Sequence, residues 1–143
     1  MERDVHIQIL DETFREEVLH YLFELNEKSP KDIIVNRYEA ALEQSNYRIY
    51  GIFKSGEVQG IAGIHKGVMV WCGRYFYIDN VIIDKSLRGL GIGETLFEYI
   101  DDLAREEGIE LIMLDVYTAN KKAQKFYHKV GYRIEGFHFV KDV

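Results

Sequence analysis

The hydrophobic pattern along this chain alternates between the two-residue period of strands and the 3.6-residue period of helices. A short strand is predicted at residues 5–10. Two helices follow, whose predicted apolar faces consist of Phe14, Val18, Tyr21, Leu22 and Leu25 in the first and Ile34, Tyr38, Ala41 and Leu42 in the second. Runs rich in β-branched and aromatic residues at 47–53, at 58–65 or 58–72, and at 74–83, separated by glycine-containing turns, predict an antiparallel meander.

Both of these helices carry sequence signals for their first residues. Thr13 and Glu16 have the spacing of a capping box, in which two side chains bond each other's backbone N–H groups. Pro30 is predicted at the first helical position of the second helix, where a missing N–H costs nothing.

The second half of the chain continues as strand, helix, strand and helix. After the strand that ends near Ile83, apolar residues recur at helical spacing from Ile92 to Ala104, and Gly108 is predicted to cap that helix. A strand at 111–117 and a helix at 121–131 follow, and residues 132–143 are predicted to close the fold with one or two strands. No linker-like segment interrupts the chain, so a single domain over residues 1–143 is predicted.

A glycine-rich turn, Arg88-Gly89-Leu90-Gly91-Ile92-Gly93, joins the strand ending at Ile83 to the next helix. The first N–H groups of a helix have no internal acceptor, and the helix dipole favours negative charge beside them. Glycine also lets an anion approach the backbone closely. The turn is therefore predicted to bind a phosphate group.

Two common nucleotide-binding loops fit this turn poorly. The dinucleotide fingerprint needs a third glycine where this sequence has Glu94 or Leu96, depending on the alignment. A Walker loop needs a Gly-Lys-Ser/Thr run that the turn lacks. Dinucleotide binding stays as the weaker alternative, because Asp115 near the end of the next strand is placed like a ribose-binding acid.

Two motifs resemble those of the GCN5-related N-acetyltransferase (GNAT) family. The turn has the R-x-x-G-x-G pattern of that family's acyl-CoA pyrophosphate loop, at Arg88, Gly91 and Gly93. Downstream, the family's N-x-x-A-x-x-F-Y-x-x-x-G-F/Y segment is matched by Asn120, Ala123, Phe126, Tyr127, Gly131 and Tyr132. The motifs occur in the family's order within residues 75–136, whereas the first 70 residues fit by pattern only.

The resemblance implies an α/β fold with a mixed sheet of six to seven strands and about four flanking helices. In this family the sheet is splayed between the fourth and fifth strands, and the cofactor lies in that wedge. The implied activity is direct transfer of an acetyl group from acetyl-CoA, the cosubstrate, to a primary amine while both are bound. The alternative is a non-catalytic acyl-CoA-binding or sensing domain with the same fold.

The resemblance also implies which residues hold acetyl-CoA. Arg88 and the backbone N–H groups from Gly89 to Gly93 would bind the pyrophosphate, and the pantetheine arm would pair with the backbone near Ile82 like an added strand. Asn120 is predicted to cap the following helix and, by resemblance, to contact the pantetheine or carbonyl region. The implied cofactor-binding residues are Val81, Ile82, Ile83, Arg88, Gly89, Leu90, Gly91, Ile92, Gly93 and Asn120.

The implied catalytic residues are Tyr127 and Asp79. By resemblance, Tyr127 is the general acid that protonates the departing thiolate, although its helical spacing alone fits a core tyrosine equally well. Asp79 interrupts an apolar strand where many relatives carry the acid that accepts the amine proton. His65, on the preceding strand, is a second candidate base because imidazole titrates near neutrality. Asp79 and His65 both fit structural roles too.

Composition narrows the range of partners. The net charge of −6 argues against nucleic acid, and no apolar run approaches the length of a membrane span. The expected partner is thus a small-molecule or peptide amine, and the resemblance also allows a homodimer. The single cysteine, Cys72, excludes an internal disulfide and favours a cytoplasmic location. No metal site is predicted, because the histidines lack metal-ligand spacing.

Overall fold

A computed structural model describes residues 4–143, which form two compact units divided between Met113 and Leu114. The strands are β1 (Val5–Ile9), β2 (Tyr47–Lys54), β3 (Glu57–Met69), β4 (Gly73–Ile83) and β5 (Leu111–Leu114). The helices are α1 (Arg15–Leu25), α2 (Lys31–Leu42), α3 (Ile92–Glu106) and α4 (Lys121–Lys129). The predicted order of elements is confirmed from β1 to α4.

The strands form one mixed sheet in the order β1-β2-β3-β4-β5. β1 pairs antiparallel with β2, β2 with β3 and β3 with β4, and the last two pairings confirm the predicted meander. β3 extends beyond His65 to Met69, because its backbone stays paired with β4 up to the Met69–Gly73 pair at the hairpin turn. Backbone pairing here overrides the weak strand pattern of the sequence.

The hydrophobic core lies between the first two helices and the sheet. Helix α1 buries Val18, Tyr21 and Leu22, and α2 buries Ile34 and Tyr38. Their sheet partners in this cluster are Tyr47, Ile49, Phe53, Ile61 and Ile82. Leu25, predicted on the buried face, is 39% exposed because α1 ends there. The predicted face of α3 is confirmed by its buried residues, Ile92, Leu96, Phe97, Ile100 and Ala104.

The predicted starts of α1 and α2 are wrong in detail. Asp11 caps the chain ahead of α1: its carboxylate accepts the N–H of Thr13 at 2.9 Å, and a single 3₁₀ turn at Glu12–Phe14 precedes the helix. This local Asp turn replaces the capping box of Thr13 and Glu16. Pro30 is the N-cap of α2 and not its first helical residue, since its carbonyl accepts the N–H of Ile34 at 3.3 Å.

The predicted closing strands are also absent from the described residues, so the sheet has five strands and not six to seven. Residues 132–143 carry no regular secondary structure, and β5 ends at Leu114. An alternating pattern predicts extended backbone, but a strand forms only when a neighbouring strand accepts its hydrogen bonds. The sequence pattern supplies no information about that neighbour.

Candidate active site

The glycine-rich turn adopts the backbone conformations that its sequence requires. Gly89 and Gly91 have φ values of +82° and +77°, in the left-handed region that favours glycine, and Gly91 is the N-cap of α3. A Cβ atom at Gly89 would meet nothing within 4 Å, so the space over the turn is open. Arg88 lies beside this space, and its Nε donates a hydrogen bond to the Ile83 carbonyl at 3.2 Å.

The donors of this turn are available to an anion. Among the described residues, the backbone N–H groups from Gly89 to Gly93 donate to no backbone acceptor, as expected for the start of a helix. Arg88 uses only its Nε, which leaves both terminal NH₂ groups for a ligand. The turn can therefore bind an anion such as a pyrophosphate through several N–H groups and one guanidinium.

A β-bulge distorts β4 next to Asp79. Ile61 pairs with Ile82 and Gly63 pairs with Asp79, so two residues of β4, Asn80 and Val81, lie opposite one residue of β3. Asn80 has a φ of +49°, which is uncommon outside glycine. Bulges re-aim side chains and cluster near functional sites. This bulge directly follows Asp79 and includes Val81, the first residue of the segment expected to pair with pantetheine.

Asp79 is the centre of a group of four side chains, which we call the polar cluster: Tyr47, His65, Asp79 and Asn80. The Tyr47 hydroxyl donates to Asp79 Oδ1 at 2.8 Å, and His65 Nε2 lies 2.8 Å from Asp79 Oδ2. Asn80 Nδ2 donates to the Tyr47 hydroxyl at 3.1 Å. The Tyr47 and His65 rings are also in contact, with centroids 4.1 Å apart and planes tilted by 31°. Both oxygens of Asp79 are thus engaged.

These bonds fix the proton positions in the cluster. An ionised carboxylate only accepts hydrogen bonds, so His65 Nε2 carries the proton in its contact with Asp79. The other ring nitrogen, Nδ1, is then the basic atom of the neutral imidazole. Burial, followed by the Asp79 charge, raises the pKa of Tyr47, which keeps its hydroxyl protonated as a donor. The cluster therefore presents an imidazole base oriented by a carboxylate.

The polar cluster lies on the wall of a cavity of about 210 Å³. Asn26, Arg37 and Tyr38 from the first two helices add polar groups to its lining. Its apolar lining consists of Leu22, Ile34, Ala41 and Ile49. All of these residues belong to the first unit.

Gly63 leaves the space that the cluster occupies. A Cβ atom at this position would lie 2.1 Å from Asp79 Oδ1 and 2.2 Å from the Tyr47 hydroxyl. We expect Gly63→Ala to lower the free energy of unfolding by about 1–3 kcal/mol, the usual cost of overpacking a core. Urea denaturation measures this. Gly136→Ala is the matched control, since its Cβ would meet nothing within 4 Å, and equal stability of the two variants would contradict the expectation.

The second unit holds the other sequence-predicted residues. Asn120 is the N-cap of α4, where its Oδ1 accepts the N–H of Ala123 at 3.1 Å, which confirms its predicted capping role. Tyr127 lies on α4 between the rings of Phe126 and Tyr132, with centroids at 5.2 and 5.7 Å. Burial raises the pKa of Tyr127 to about 12, so its hydroxyl is protonated at neutral pH.

The structure brings some predicted residues together and adds others. Asp79 and His65, proposed from sequence as alternative bases, are hydrogen-bonded partners. Sequence reasoning missed Tyr47, Asn80 and Arg37, because nothing in a single sequence pairs a residue of β2 or α2 with β4. The one available signal was Gly63 inside an apolar strand, since such a glycine marks a close approach.

The described residues, 4–143, contain neither a metal-binding cluster nor a membrane-spanning helix. No group of three or more His, Cys, Asp or Glu side chains is arranged to hold a metal ion in this part of the chain. No helix there is long and apolar enough to cross a membrane.

Comparison with known proteins identifies relatives of the chain. It is 30% identical to the thialysine N-epsilon-acetyltransferase of Sus scrofa over 58% of this chain and 54% of that protein. The Caenorhabditis elegans thialysine N-epsilon-acetyltransferase is 27% identical over 82% of this chain and 76% of its own. The aminoalkylphosphonate N-acetyltransferase of Salmonella typhimurium is 29% identical over 67% and 62%. The chain thus spans between about half and three quarters of these relatives.

Two solved structures and a family model agree with these relatives. A solved structure of AAC(6')-Iy, in complex with the bisubstrate analogue CoA-S-monomethyl-acetylneamine, superposes with a TM-score of 0.81 over 97% of this chain and 98% of that one, at 17% identity. A second, the Trypanosoma brucei acetyltransferase, gives 0.78 over 98% and 100%, at 23% identity. The sequence model of the acetyltransferase (GNAT) family matches residues 7–132. The chain belongs to the GNAT family of acetyltransferases.

Proposed function

We propose that this protein is an acetyl-CoA-dependent N-acetyltransferase that transfers acetyl directly to the primary amine of a small molecule. The observation that carries the proposal is the His65–Asp79 pair on a cavity wall, in a chain of the GNAT family. Direct transfer needs a group that takes a proton from the amine, which a non-catalytic acyl-CoA-binding domain does not need.

The proposed contacts to acetyl-CoA use the N–H donors of the glycine-rich turn. Arg88 and the N–H groups of Gly89, Leu90, Gly91, Ile92 and Gly93 are proposed to bind the pyrophosphate of acetyl-CoA. The backbone of Val81, Ile82 and Ile83, at and after the bulge, is proposed to pair with the pantetheine arm. Because the Ile83 carbonyl already accepts a bond from Arg88, the pairing is expected to rely mainly on Val81 and Ile82.

The base is proposed to be His65, with Asp79 as its positioning residue. A primary alkyl amine with a pKa near 10.4 costs about 4–5 kcal/mol to deprotonate at pH 7, so a base near the amine contributes substantially. Asp79, which the sequence put forward as the base itself, has both oxygens occupied by Tyr47 and His65. It therefore orients the imidazole and stabilises the imidazolium once the proton has moved.

Tyr127 and Asn120 keep the roles that the family motif implies. Tyr127 is proposed as the general acid toward the thiolate of CoA, since its protonated state at neutral pH fits a donor. Asn120 uses Oδ1 to cap α4, which leaves its amide NH₂ to contact the pantetheine or carbonyl region.

The acceptor is proposed to be a small amine. Drug-sized ligands occupy pockets of about 300–1,000 Å³, which is larger than the 210 Å³ present in the first unit. The named relatives act on thialysine and on aminoalkylphosphonates, both of them small amines by name. A cytoplasmic location and a homodimer are further proposals, the first supported by the single cysteine and the second by the family resemblance.

The proposal is tested by measuring CoA release from acetyl-CoA in the presence of a panel of small amines. An N-acetyltransferase gives amine-dependent release and an N-acetylated product that mass spectrometry identifies. Tight binding of acetyl-CoA without turnover of any amine would instead support the acyl-CoA-binding alternative. Binding of a nicotinamide dinucleotide in place of acetyl-CoA would overturn both.

The glycine-rich turn gives a sharper test of cofactor binding. Acetyl-CoA should raise the Tm of the wild-type protein, because it binds only the folded state. We expect Gly91→Ala to weaken acetyl-CoA binding at least about tenfold and reduce this rise, since a Cβ enters the open space over the turn. Thermal shift and calorimetric titration measure the change.

The control for this variant is Gly108→Ala at the other end of α3. Gly108 also has a positive φ, +69°, with open space around its Cβ, so the backbone strain is matched. Gly108→Ala should lower the Tm of the free protein similarly but keep the full shift with acetyl-CoA. An unchanged shift in Gly91→Ala would remove the turn from the cofactor site.

A further inference from the structure

Arg37 is the least satisfied charged group around the cavity. Among the described residues it has no carboxylate within ion-pair distance and no hydrogen-bond partner, whereas Arg15, on the neighbouring helix, is paired with Glu39 at 2.7 Å. Arg37 lies on α2 and lines the same cavity as the His65–Asp79 pair. A guanidinium left unpaired beside a cavity is a ready partner for a planar or tetrahedral anion.

The charges of the lining balance each other. Asp79 is the one carboxylate and Arg37 the one guanidinium among the described residues that line the cavity. A ligand that matches this lining therefore carries one amine and one anionic group. A polyamine or an aminoglycoside would instead place a second cation close to Arg37, which costs energy through like-charge repulsion.

The apolar lining and the size of the cavity restrict the rest of the ligand. Leu22, Ile34 and Ala41 offer methyl and methylene contacts, as a short alkyl spacer requires. A volume of about 210 Å³ corresponds to about seven water molecules in the liquid, so an amine of about six to ten non-hydrogen atoms fits. Asn26 adds an amide whose Nδ2 is bonded to the Leu22 carbonyl, which leaves its Oδ1 as an acceptor at the wall.

The net negative charge of the protein favours cationic ligands, but it affects the choice of acceptor less than the cavity lining does. The net charge of −6 attracts cations at long range, yet exposed charges farther than about 8–10 Å are largely screened at physiological salt. Arg37 is itself exposed, but it meets a bound ligand at contact distance, where screening by salt is weaker. The lining therefore selects the acceptor, and the surface charge affects its rate of arrival.

We propose that the acceptor is a short bifunctional amine that carries a carboxylate or phosphonate, and that Arg37 binds this anionic group and determines specificity. This proposal rests on the proposed N-acetyltransferase function. The anion binds the Arg37 guanidinium, while the amine reaches the His65–Asp79 end of the cavity. Arg37 thus selects the substrate and takes no part in the proton transfer.

The test compares acceptors that differ only in the anionic group, namely β-alanine and β-alaninamide, and the same pair shortened or lengthened by one carbon. Two further acceptors are 2-aminoethylphosphonate, which carries a phosphonate, and 1,3-diaminopropane, which carries a second amine. Wild-type protein should prefer at least one amino acid or phosphonate over its neutral amide by about 10- to 100-fold in kcat/KM, the scale of a hydrogen-bonded charge. The preference should appear mainly in KM, because Arg37 binds a group remote from the reacting amine.

Arg37→Gln should abolish this preference, because kcat/KM for the anionic acceptor falls toward the value for its neutral amide. Lys31→Gln is the matched control, since it removes the same charge from the same helix at a residue that does not line the cavity. Equal use of acid and amide by the wild type, a preference for the diamine, or a preference that survives in Arg37→Gln would overturn the proposal. A rise in the Kd of acetyl-CoA in Arg37→Gln would do so too, by assigning Arg37 to the cofactor.

A failure of the proposed function is distinguished by equilibrium binding. With CoA present and no acetyl group to transfer, calorimetry compares the amino acids and 2-aminoethylphosphonate with the amides in wild type and Arg37→Gln. Tighter binding of the anionic ligands that depends on Arg37 supports the cavity assignment even if no amine is turned over. No difference between anionic and neutral ligands overturns it, whatever the outcome of the turnover assay.

Discussion

Changing Tyr127 to Phe is expected to lower kcat on the order of 10²-fold while the Kd of acetyl-CoA stays within a few-fold. The substitution keeps the ring on α4 and deletes only the hydroxyl. A general acid acts in the transition state alone, so its loss appears in kcat, and 10²–10⁴-fold is the usual scale. Steady-state kinetics with the best acceptor, and calorimetry with acetyl-CoA, give the two quantities.

Burial of Tyr127 raises the free energy needed to transfer its hydroxyl proton. Burial raises the pKa of Tyr127 to about 12, so complete transfer of its proton to a thiolate whose thiol has a pKa near 8.5 is uphill by about 5 kcal/mol. A hydrogen bond from the hydroxyl to the developing thiolate, with solvent completing the protonation, avoids that cost. Either way, the group must be protonated to act.

The direction of the pKa shift predicts the alkaline limb of the rate profile. A raised pKa keeps the phenol protonated to higher pH, so kcat should not fall between pH 8 and 10 through loss of this proton. Tyr75→Phe is a control that also removes a phenol, and it should leave kcat and its pH profile unchanged. Wild-type kcat in Tyr127→Phe at every pH would show that Tyr127 only packs in the core.

Changing His65 to Gln is expected to lower kcat/KM on the order of 10²–10³-fold, through loss of the base. A base must be unprotonated to accept the amine proton, so wild-type kcat/KM should decrease in acid, and His65→Gln should lose this acid limb. Asp79→Asn should lower activity but retain the acid limb, since it removes the orienting carboxylate and keeps the imidazole. The measurement is kcat/KM against pH for all three proteins.

The comparison separates the two candidate bases. If Asp79→Asn loses the acid limb and His65→Gln keeps it, then Asp79 is the base and His65 its partner. His6→Gln is the control for loss of an imidazole. His6 lies in β1, where its ring stacks on Phe53 of β2, and it does not line the cavity. Both variants at wild-type activity would assign the whole polar cluster a structural role.

The order of elements and the glycine-rich turn were predictable because their causes are local. Gly89 and Gly91 adopt positive φ values that their own lack of a Cβ allows, and Asn120 caps α4 through a bond to Ala123 three residues away. Periodicity likewise predicted the buried face of α3, since each position on a helix is set by its neighbours. The exact helix starts failed, because Asp11 offered an equally local alternative to Thr13.

By itself, the sequence determined the order of the elements from β1 to α4, that a glycine-rich turn precedes α3, and which family motifs the chain carries. Only the tertiary structure decided that His65 and Asp79 form one pair, that Tyr47 holds the second oxygen of that carboxylate, and that Arg37 lines the same cavity. The physical reason is how far apart along the sequence the interacting residues lie. Local conformation follows from residues a few positions apart, whereas these contacts join β2, β3, β4 and α2 through pairing and packing that no short window of sequence contains.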